Sequence, residues 1–377
     1  MTHTLPDAVR DATATCTYCP KLCRFSCPVA DAEARETVTP WGLMRLLEFT
    51  STQDVELDAQ VAQTFYHCTG CLRCQTACRH DNDVPQAMWA ARAASVDAGH
   101  LPEALAQMPA QFEEHGACGP MPELSDEQVE GVFDQQASIA YLPDCKTMRA
   151  TPEAVLQIGA LLARAVGAPL RLLSSYDGPG CCGFELKAAG LRDDFDAHMR
   201  AQTAYWDGVT HVITDCAPMV AQKRHPARFG IDAQVAASWP DFEHVIERLA
   251  LWAPHNPPAS TVDADGARLH DSCFVGRHLN LYEPTRALSQ VLFGRALEEL
   301  DASRQEATCC GGANLYERIN PQGAAGCARA LVEQVEREGG SGLVCGQRGC
   351  AAHLSDSAQD FAIDLMEAAC LAYEIQV

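Results

Sequence analysis

Basic residues are scarce in this chain. Its 377 residues hold 28 Lys and Arg against 50 Asp and Glu, a net charge of −22. A nucleic-acid binder carries the opposite balance, so that class is set aside. No apolar run reaches the roughly 18 residues that a spanning helix requires. The opening segment, MTHTLPDAVRDATATC, has neither the basic stretch nor the apolar centre of a secretory leader. The expected location is the cytoplasm, with any membrane association made through a partner. A Gly-x-Gly-x-x-Gly turn following a strand is also missing, so the chain is not expected to hold flavin or nicotinamide itself.

Cysteine, in contrast, is abundant: 20 residues, in a chain that is 47% hydrophobic and long enough for two or three domains. A secreted protein would pair such cysteines as disulfides, whereas a cytosolic one of this size more often gives them to metal. Spacing decides between the two. Cys16, Cys19, Cys23 and Cys27 form one run, closed by Pro28, and Cys68, Cys71, Cys74 and Cys78 form another. The second run has the spacing of a bacterial ferredoxin [4Fe–4S] loop, and the first is one residue longer in its middle. A cubane takes one thiolate at each of four corners. In two-cluster ferredoxins three come from one run and the fourth crosses from the other. Carried over, Cys16, Cys19, Cys23 and Cys78 would hold one cluster, and Cys68, Cys71, Cys74 and Cys27 the other. Lys21, Arg24, Arg73 and Arg79 stand close enough in sequence to offset the thiolate charge. A pair of four-cysteine zinc sites is the alternative. Apolar residues at helical spacing place helices over 40–66, 84–97 and 102–115. The segment before residue 120 therefore reads as an all-α ferredoxin-like domain with Trp41 and Trp89 in its core.

The remainder repeats itself. Cys145, the pair Cys181 and Cys182 followed by Gly183, and Cys216 recur as Cys273, Cys309 and Cys310 followed by Gly311, and Cys345, at offsets of 128, 128, 128 and 129. An internal duplication is the natural reading. Within each copy, strand-like runs such as 170–175 alternate with helical ones such as 152–166, which predicts α/β lobes with parallel sheets over 136–250 and 265–377. The Pro- and Asp-rich stretch 251–266 reads as the link between them. Ligands of such sheets gather at the carboxyl ends of the strands, where Cys145, Cys216, Cys273 and Cys345 fall. Cys118, Cys327 and Cys370 lie outside every group and are expected to be buried structural thiols.

With both runs, both Cys-Cys-Gly motifs and the segment HDSCFVGRHLNLYEPTR on view, the chain resembles the CCG-domain (cysteine-rich domain) proteins. These include heterodisulfide reductase subunits and the iron–sulfur subunits of anaerobic glycerol-3-phosphate dehydrogenase and of glycolate and lactate oxidases. In that family the motif closes with Cys-x-x-Cys and can hold a noncubane [4Fe–4S] assembly through five cysteines. Here Met219 and Arg348 stand where the last cysteine would be, with Cys350 two residues beyond Arg348 as a substitute. The resemblance implies a cluster, cubane or noncubane, or else zinc, at Cys273, Cys309, Cys310, Cys345 and Cys350, and a less complete site at Cys145, Cys181, Cys182 and Cys216. His270 and Asp271, which precede Cys273, are candidates to support the Cys273 site, a satisfied strand-end histidine being the alternative. Arg277 and His278 are candidates either to contact a substrate or to cap a helix.

The function expected is an electron relay between a flavoprotein dehydrogenase and an acceptor such as a quinone or another redox protein. A heterodisulfide reductase-like catalyst at the second CCG site and a metal-stabilised structural or sensing protein are the alternatives.

Overall fold

The computed structural model describes residues 5–173 and 180–376. The expected strand over 170–175 is seen only as Arg171–Leu172, because part of that stretch lies outside the described residues.

The N-terminal part is helical for local reasons. Thr39 caps the helix Pro40–Ser51 by accepting from the Gly42 amide at 3.0 Å, and Pro40 supplies a preset first turn. Position 42 admits only glycine, since a Cβ there would lie 2.6 Å from the Glu36 carbonyl. The expected 40–66 helix breaks after Ser51 and resumes as Ala59–Thr64, with Gln53 left-handed at φ 65° between them. Val84–Asp97 forms as expected, capped by Asp83, which accepts from Gln86 at 3.0 Å. The stretch 102–115 becomes a short 3₁₀ turn, Glu103–Leu105, and a helix, Met108–His115. Trp89 is buried, whereas Trp41 is only half-buried, with the Lys21 ammonium 3.9 Å from its ring centroid.

Two four-stranded parallel sheets follow. The first comprises β1 (Ile139–Leu142), β2 (Arg171–Leu172), β3 (His211–Thr214) and β4 (Asp241–His244), in the order β2-β1-β3-β4. The second comprises β5 (Ala267–His270), β6 (Glu298–Glu299), β7 (Gly342–Cys345) and β8 (Ala362–Asp364), in the order β6-β5-β7-β8. Identical strand order in the two sheets is what a duplicated unit produces. The helix Pro152–Val166 buries Val155, Ile158 and Leu162, an apolar stripe at helical spacing, and packs against the helices Val245–Trp252 and Leu365–Ala372. Each Cys-Cys pair is followed by a glycine with positive φ, Gly183 at 65° and Gly311 at 96°. A Cβ on Gly311 would stand 2.7 Å from the Cys327 Cβ, so the turn needs glycine on both counts.

The register revises the repeat. Leu142 of β1 pairs with Thr214, and its equivalent His270 of β5 pairs with Cys345. Cys345 therefore stands level with Thr214 and not with Cys216. The helix after β3 starts at Ala217 and the one after β7 at Arg348. This places Cys216 opposite Gln347 and Met219 opposite Cys350. The second copy carries extra residues between its cysteine pair and its third strand, which the near-equal offset along the chain had concealed.

The helical part is fastened to both lobes by one buried cation. Arg92 is fully buried and donates to the carbonyls of Phe65 at 3.0 Å, Cys68 at 2.9 Å, Ala188 at 2.8 Å and Asn314 at 3.4 Å. Beside it, Trp89 Nε1 donates to the Asn314 side chain at 3.0 Å, and Asn314 Nδ2 donates to the Cys68 carbonyl at 2.6 Å. Tyr66 Oη donates to the Ala189 carbonyl at 2.8 Å. A second junction joins Glu33 to His67 at 2.6 Å, Tyr316 at 2.5 Å and Asn320 at 3.0 Å. Burial alone would raise the Glu33 pKa. The hydrogen bonds from His67 and Tyr316 outweigh it and hold the carboxylate at about 2.

Replacing Arg92 by Leu would leave four buried carbonyls without their donor. The expected cost is about 3–5 kcal/mol of unfolding free energy in denaturant titrations, and a loss under about 1 kcal/mol would contradict the junction. Burial also holds His278 at about 3. An unfolded chain takes up that proton near 6.5, so the histidine contribution is complete above about 6.5 and is lost as pH falls toward the folded value. Asp215 and Asp364, pushed up to about 6 by burial, act in the opposite direction. The histidine share is therefore read as a difference. Relative to the parent chain, His278→Gln should gain up to about 1.4 kcal/mol per pH unit as pH falls below about 6.5; parallel curves would contradict it.

Candidate metal centres

The cysteines come together in four groups. Cys16 has Cys78 and Cys19 as charged neighbours, and Cys23 has Cys16, Cys78 and Cys19. Cys27 faces Cys71 and Cys68, and Cys74 faces Cys71, Cys68, Cys27 and, beyond them, Cys23. The fourth cysteine of each run thus crosses to the other run. The local backbone explains why. Left-handed Lys21 and Leu72 fold the two loops back on themselves, and Cys27 precedes the helix Pro28–Glu33, so its thiol accepts from the Ala30 and Val29 amides.

Burial pushes the Cys23 and Cys68 thiols up to about 11. Without metal these groups would be neutral thiols crowded in the interior, and metal must displace their protons to bind. Donors are in place for the anionic form: Asn82 Nδ2 to Cys16 Sγ at 3.2 Å, Gly70 N to Cys68 Sγ at 3.4 Å and Gly311 N to Cys309 Sγ at 3.5 Å. Such N–H···S contacts suit an iron–sulfur cluster, whose charge resides largely on sulfur. Among the described residues no three His, Cys, Asp or Glu side chains converge on a single-ion position.

Of the charged residues expected to offset the N-terminal thiolates, Lys21 and Arg24 pair with Glu36 at 3.6 and 2.8 Å, and Arg79 is exposed. Neutralisation near Cys68 falls instead to Arg92, which nothing in the sequence marked beyond its place in an apolar helix.

In the second lobe the thiols of Cys273, Cys309, Cys310 and Cys350 are neighbours. Cys345 lies within β7, fully buried, with Cys310 nearby. Cys71 of the N-terminal part neighbours Cys309, and Thr69 Oγ1 lies 3.6 Å from Cys309 Sγ, so the second group borders the third. Arg277 and His278 both reach backbone carbonyls. The Arg277 guanidinium donates to the Cys71 carbonyl and, at 2.8 Å, to the Ala307 carbonyl, and His278 Nε2 lies 2.9 Å from the Gly70 carbonyl. They clamp the loop that carries Cys68 and Cys71. Asp271 is held by Arg286 at 2.8 and 2.9 Å, and His270 is buried with neither ring nitrogen hydrogen-bonded.

In the first lobe Cys145 opens the helix Cys145–Ala150, Cys181 and Cys182 precede Gly183, and Cys216 caps the helix Ala217–Arg224. Hydrogen bonds from Cys118 and Cys181, with the Arg149 charge beside it, draw Cys145 well below the usual thiol range. Cys118 was expected to be an isolated buried thiol. Its position in the irregular segment after Met108–His115 gave no signal of a partner so far along the chain. Cys327 and Cys370 are buried on the helices Pro321–Arg337 and Leu365–Ala372. A cavity of about 90 Å³ separates the lobes, lined by Cys145, Cys181, Cys182 and Cys216 from one and by Cys273 and Cys350 from the other.

Comparison with known families supports iron–sulfur clusters in the N-terminal part. Residues 12–82 match the 4Fe-4S dicluster domain family, and residues 267–355 match the cysteine-rich domain family. The chain is an iron–sulfur protein. Both matched stretches fall on thiol groups described above, and the cysteine-rich match covers the second lobe. A probable iron-sulfur-binding oxidoreductase, FadF, of Bacillus subtilis (strain 168) is 34% identical over 83 residues, 22% of this chain and 11% of that protein. No solved structure matches. No helix among the described residues is long and apolar enough to cross a membrane.

The register carries a consequence for this iron–sulfur protein. Cys350→Ser should lower the iron content of the anaerobically purified chain, whereas Cys345→Ser should leave the greater part of the second-lobe iron in place. Equal losses would show that Cys345 is a ligand of the same rank.

Proposed function

We propose that this iron–sulfur subunit relays electrons, and the observation that supports it best is the continuity of its thiol groups. Cys23 of the first group neighbours Cys74 of the second, and the second group borders the third where Cys71 neighbours Cys309 and Thr69 Oγ1 lies 3.6 Å from Cys309 Sγ. The third group then faces the first-lobe thiols across the inter-lobe cavity. On this reading Cys16, Cys19, Cys23 and Cys78 hold one [4Fe–4S] cluster, and Cys27, Cys68, Cys71 and Cys74 hold another. Cys273, Cys309, Cys310 and Cys350, with Cys345 behind them, hold a third, and the Cys145 group holds a fourth. Three units carry them: residues 1–120, 136–250 and 265–377.

The first group lies at the outer end. Tyr18 and Phe25, flanking Cys19 and Cys23, are 91% and 78% exposed, which suits docking of a partner that delivers or collects electrons. A flavoprotein dehydrogenase fits that role, because the chain shows no dinucleotide fingerprint of its own. A quinone or a further redox protein would serve as acceptor. Iron–sulfur chemistry supplies one-electron steps; the chain's residues set the order of the clusters and hold them in the dry interior.

The cavity between the lobes favours a second reading. Thiols of two sites line one enclosed space, as a catalytic subunit resembling heterodisulfide reductase would require.

Replacing Cys19 or Cys71 by Ser should each remove about half of the N-terminal iron, since each run furnishes one of two cubanes. Under the relay reading Cys71→Ser also isolates the lobes: dithionite should still reduce the first group rapidly, while the signals of the lobe clusters appear late or not at all. Full iron content with unchanged reduction kinetics in Cys71→Ser would overturn the relay. A lobe site that cleaved an added disulfide substrate in the parent chain would favour the catalytic reading.

A further inference from the structure

The repeat supplies the first-lobe site with one thiol fewer than its structural partner positions allow. Cys145, Cys181, Cys182 and Cys216 are present, but Met219 occupies the position that Cys350 holds in the other lobe. Met219 is fully buried in the helix Ala217–Arg224, and a thioether is neutral and a weak ligand for iron. The lobe nevertheless has a fifth thiol. The Cys118 thiol neighbours that of Cys145, with Cys181 beyond it. Arg149 Nη2 lies 2.7 Å from Cys118 Sγ and 3.7 Å from Cys145 Sγ. A guanidinium drawn onto two sulfurs at once marks a place built for thiolate charge.

We propose that Cys118, from the segment preceding the first lobe, is the fifth thiolate of the first-lobe cluster, supplied from outside the repeat in place of the ligand lost at position 219. This rests on the reading that the lobes hold clusters. The four repeat thiols line the cavity between the lobes, and Cys118 lines an adjoining cavity of about 550 Å³ that shares Lys146, Glu185, Glu317 and Gly349 with it. Five thiolates exceed the four corners of a cubane, so the first-lobe iron should differ spectroscopically from the N-terminal iron.

The test uses the full chain, purified without air, in four variants: Cys118→Ala, Cys182→Ala, the double variant, and Cys370→Ala as a buried cysteine with no thiol neighbour given to any site. Iron and acid-labile sulfide are counted per chain and Mössbauer spectra recorded. Cys118→Ala should lose or visibly alter the same iron component that Cys182→Ala loses. The double variant should lose no more than Cys182→Ala, and Cys370→Ala should match the parent. The N-terminal EPR signals, retained in all four, report that the fold is intact. Unchanged iron and an unchanged spectrum in Cys118→Ala would overturn the proposal. If Cys182→Ala also keeps all of its iron, the first lobe holds no cluster. Cys118 then has no site to complete, and the N-terminal relay still stands. Loss of the N-terminal signals from the parent itself would instead remove the reading on which both depend.

Discussion

Arg92 carries a full charge where no water reaches it, and the arrangement of the thiol groups depends on that placement. Isolated, a buried guanidinium would cost several kcal/mol. Here four backbone carbonyls from three parts of the chain take up its donors, and the Cys68 thiol lies within its field. The same contacts that satisfy the charge pin the Cys68–Cys74 loop between the two lobes. Arg277 and His278 hold that loop from the other side through the Cys71 and Gly70 carbonyls. The result is that Cys71 meets Cys309, and a helical module and an α/β lobe share a border made of sulfur.

The thiols themselves pose the opposite electrostatic problem. Burial raises most of them, so the metal-free interior prefers them protonated and the clustered anions are disfavoured. Positive charge must enter with the metal. The protein prepares for it with directed amides, the Asn82 side chain, the buried Arg92 and the half-buried Arg149 rather than with surface lysines. Such preparation favours a cofactor that keeps its thiolates on separate irons. Cores as extensive as those of the two lobes can stabilise themselves without metal, which supports the proposed electron chemistry over a purely structural role.

Much of this was legible in the sequence. The cysteine runs specify their own loops, and their crossing follows from ferredoxin spacing. Parallel sheets follow from alternating elements, and the duplication from cysteines in step. What could not be read is instructive. Chain offsets matched Cys345 to Cys216 because a length change between the cysteine pair and β7 nearly cancelled; only strand register, set by hydrogen bonds across the sheet, shows Cys350 opposite Met219. Arg92 looked like an ordinary residue of an amphipathic helix, since its partners are carbonyls, which sequence does not distinguish. Cys118 had no motif, as its partner Cys145 lies in the next unit. Lys21 and Arg24 were placed beside thiolates by proximity in sequence, but Glu36 is the nearer anion in space.

The central claim is that iron–sulfur clusters in adjacent thiol groups form one continuous path. Its most direct test is a stepwise reductive titration of the anaerobically purified chain, followed by EPR with iron, sulfide and zinc counted on the same sample. The account predicts a brown protein rich in acid-labile sulfide, with [4Fe–4S] signals that broaden through spin–spin interaction as neighbouring clusters fill. A colourless protein holding zinc and no sulfide, or clusters whose signals remain magnetically isolated at full reduction, would contradict it.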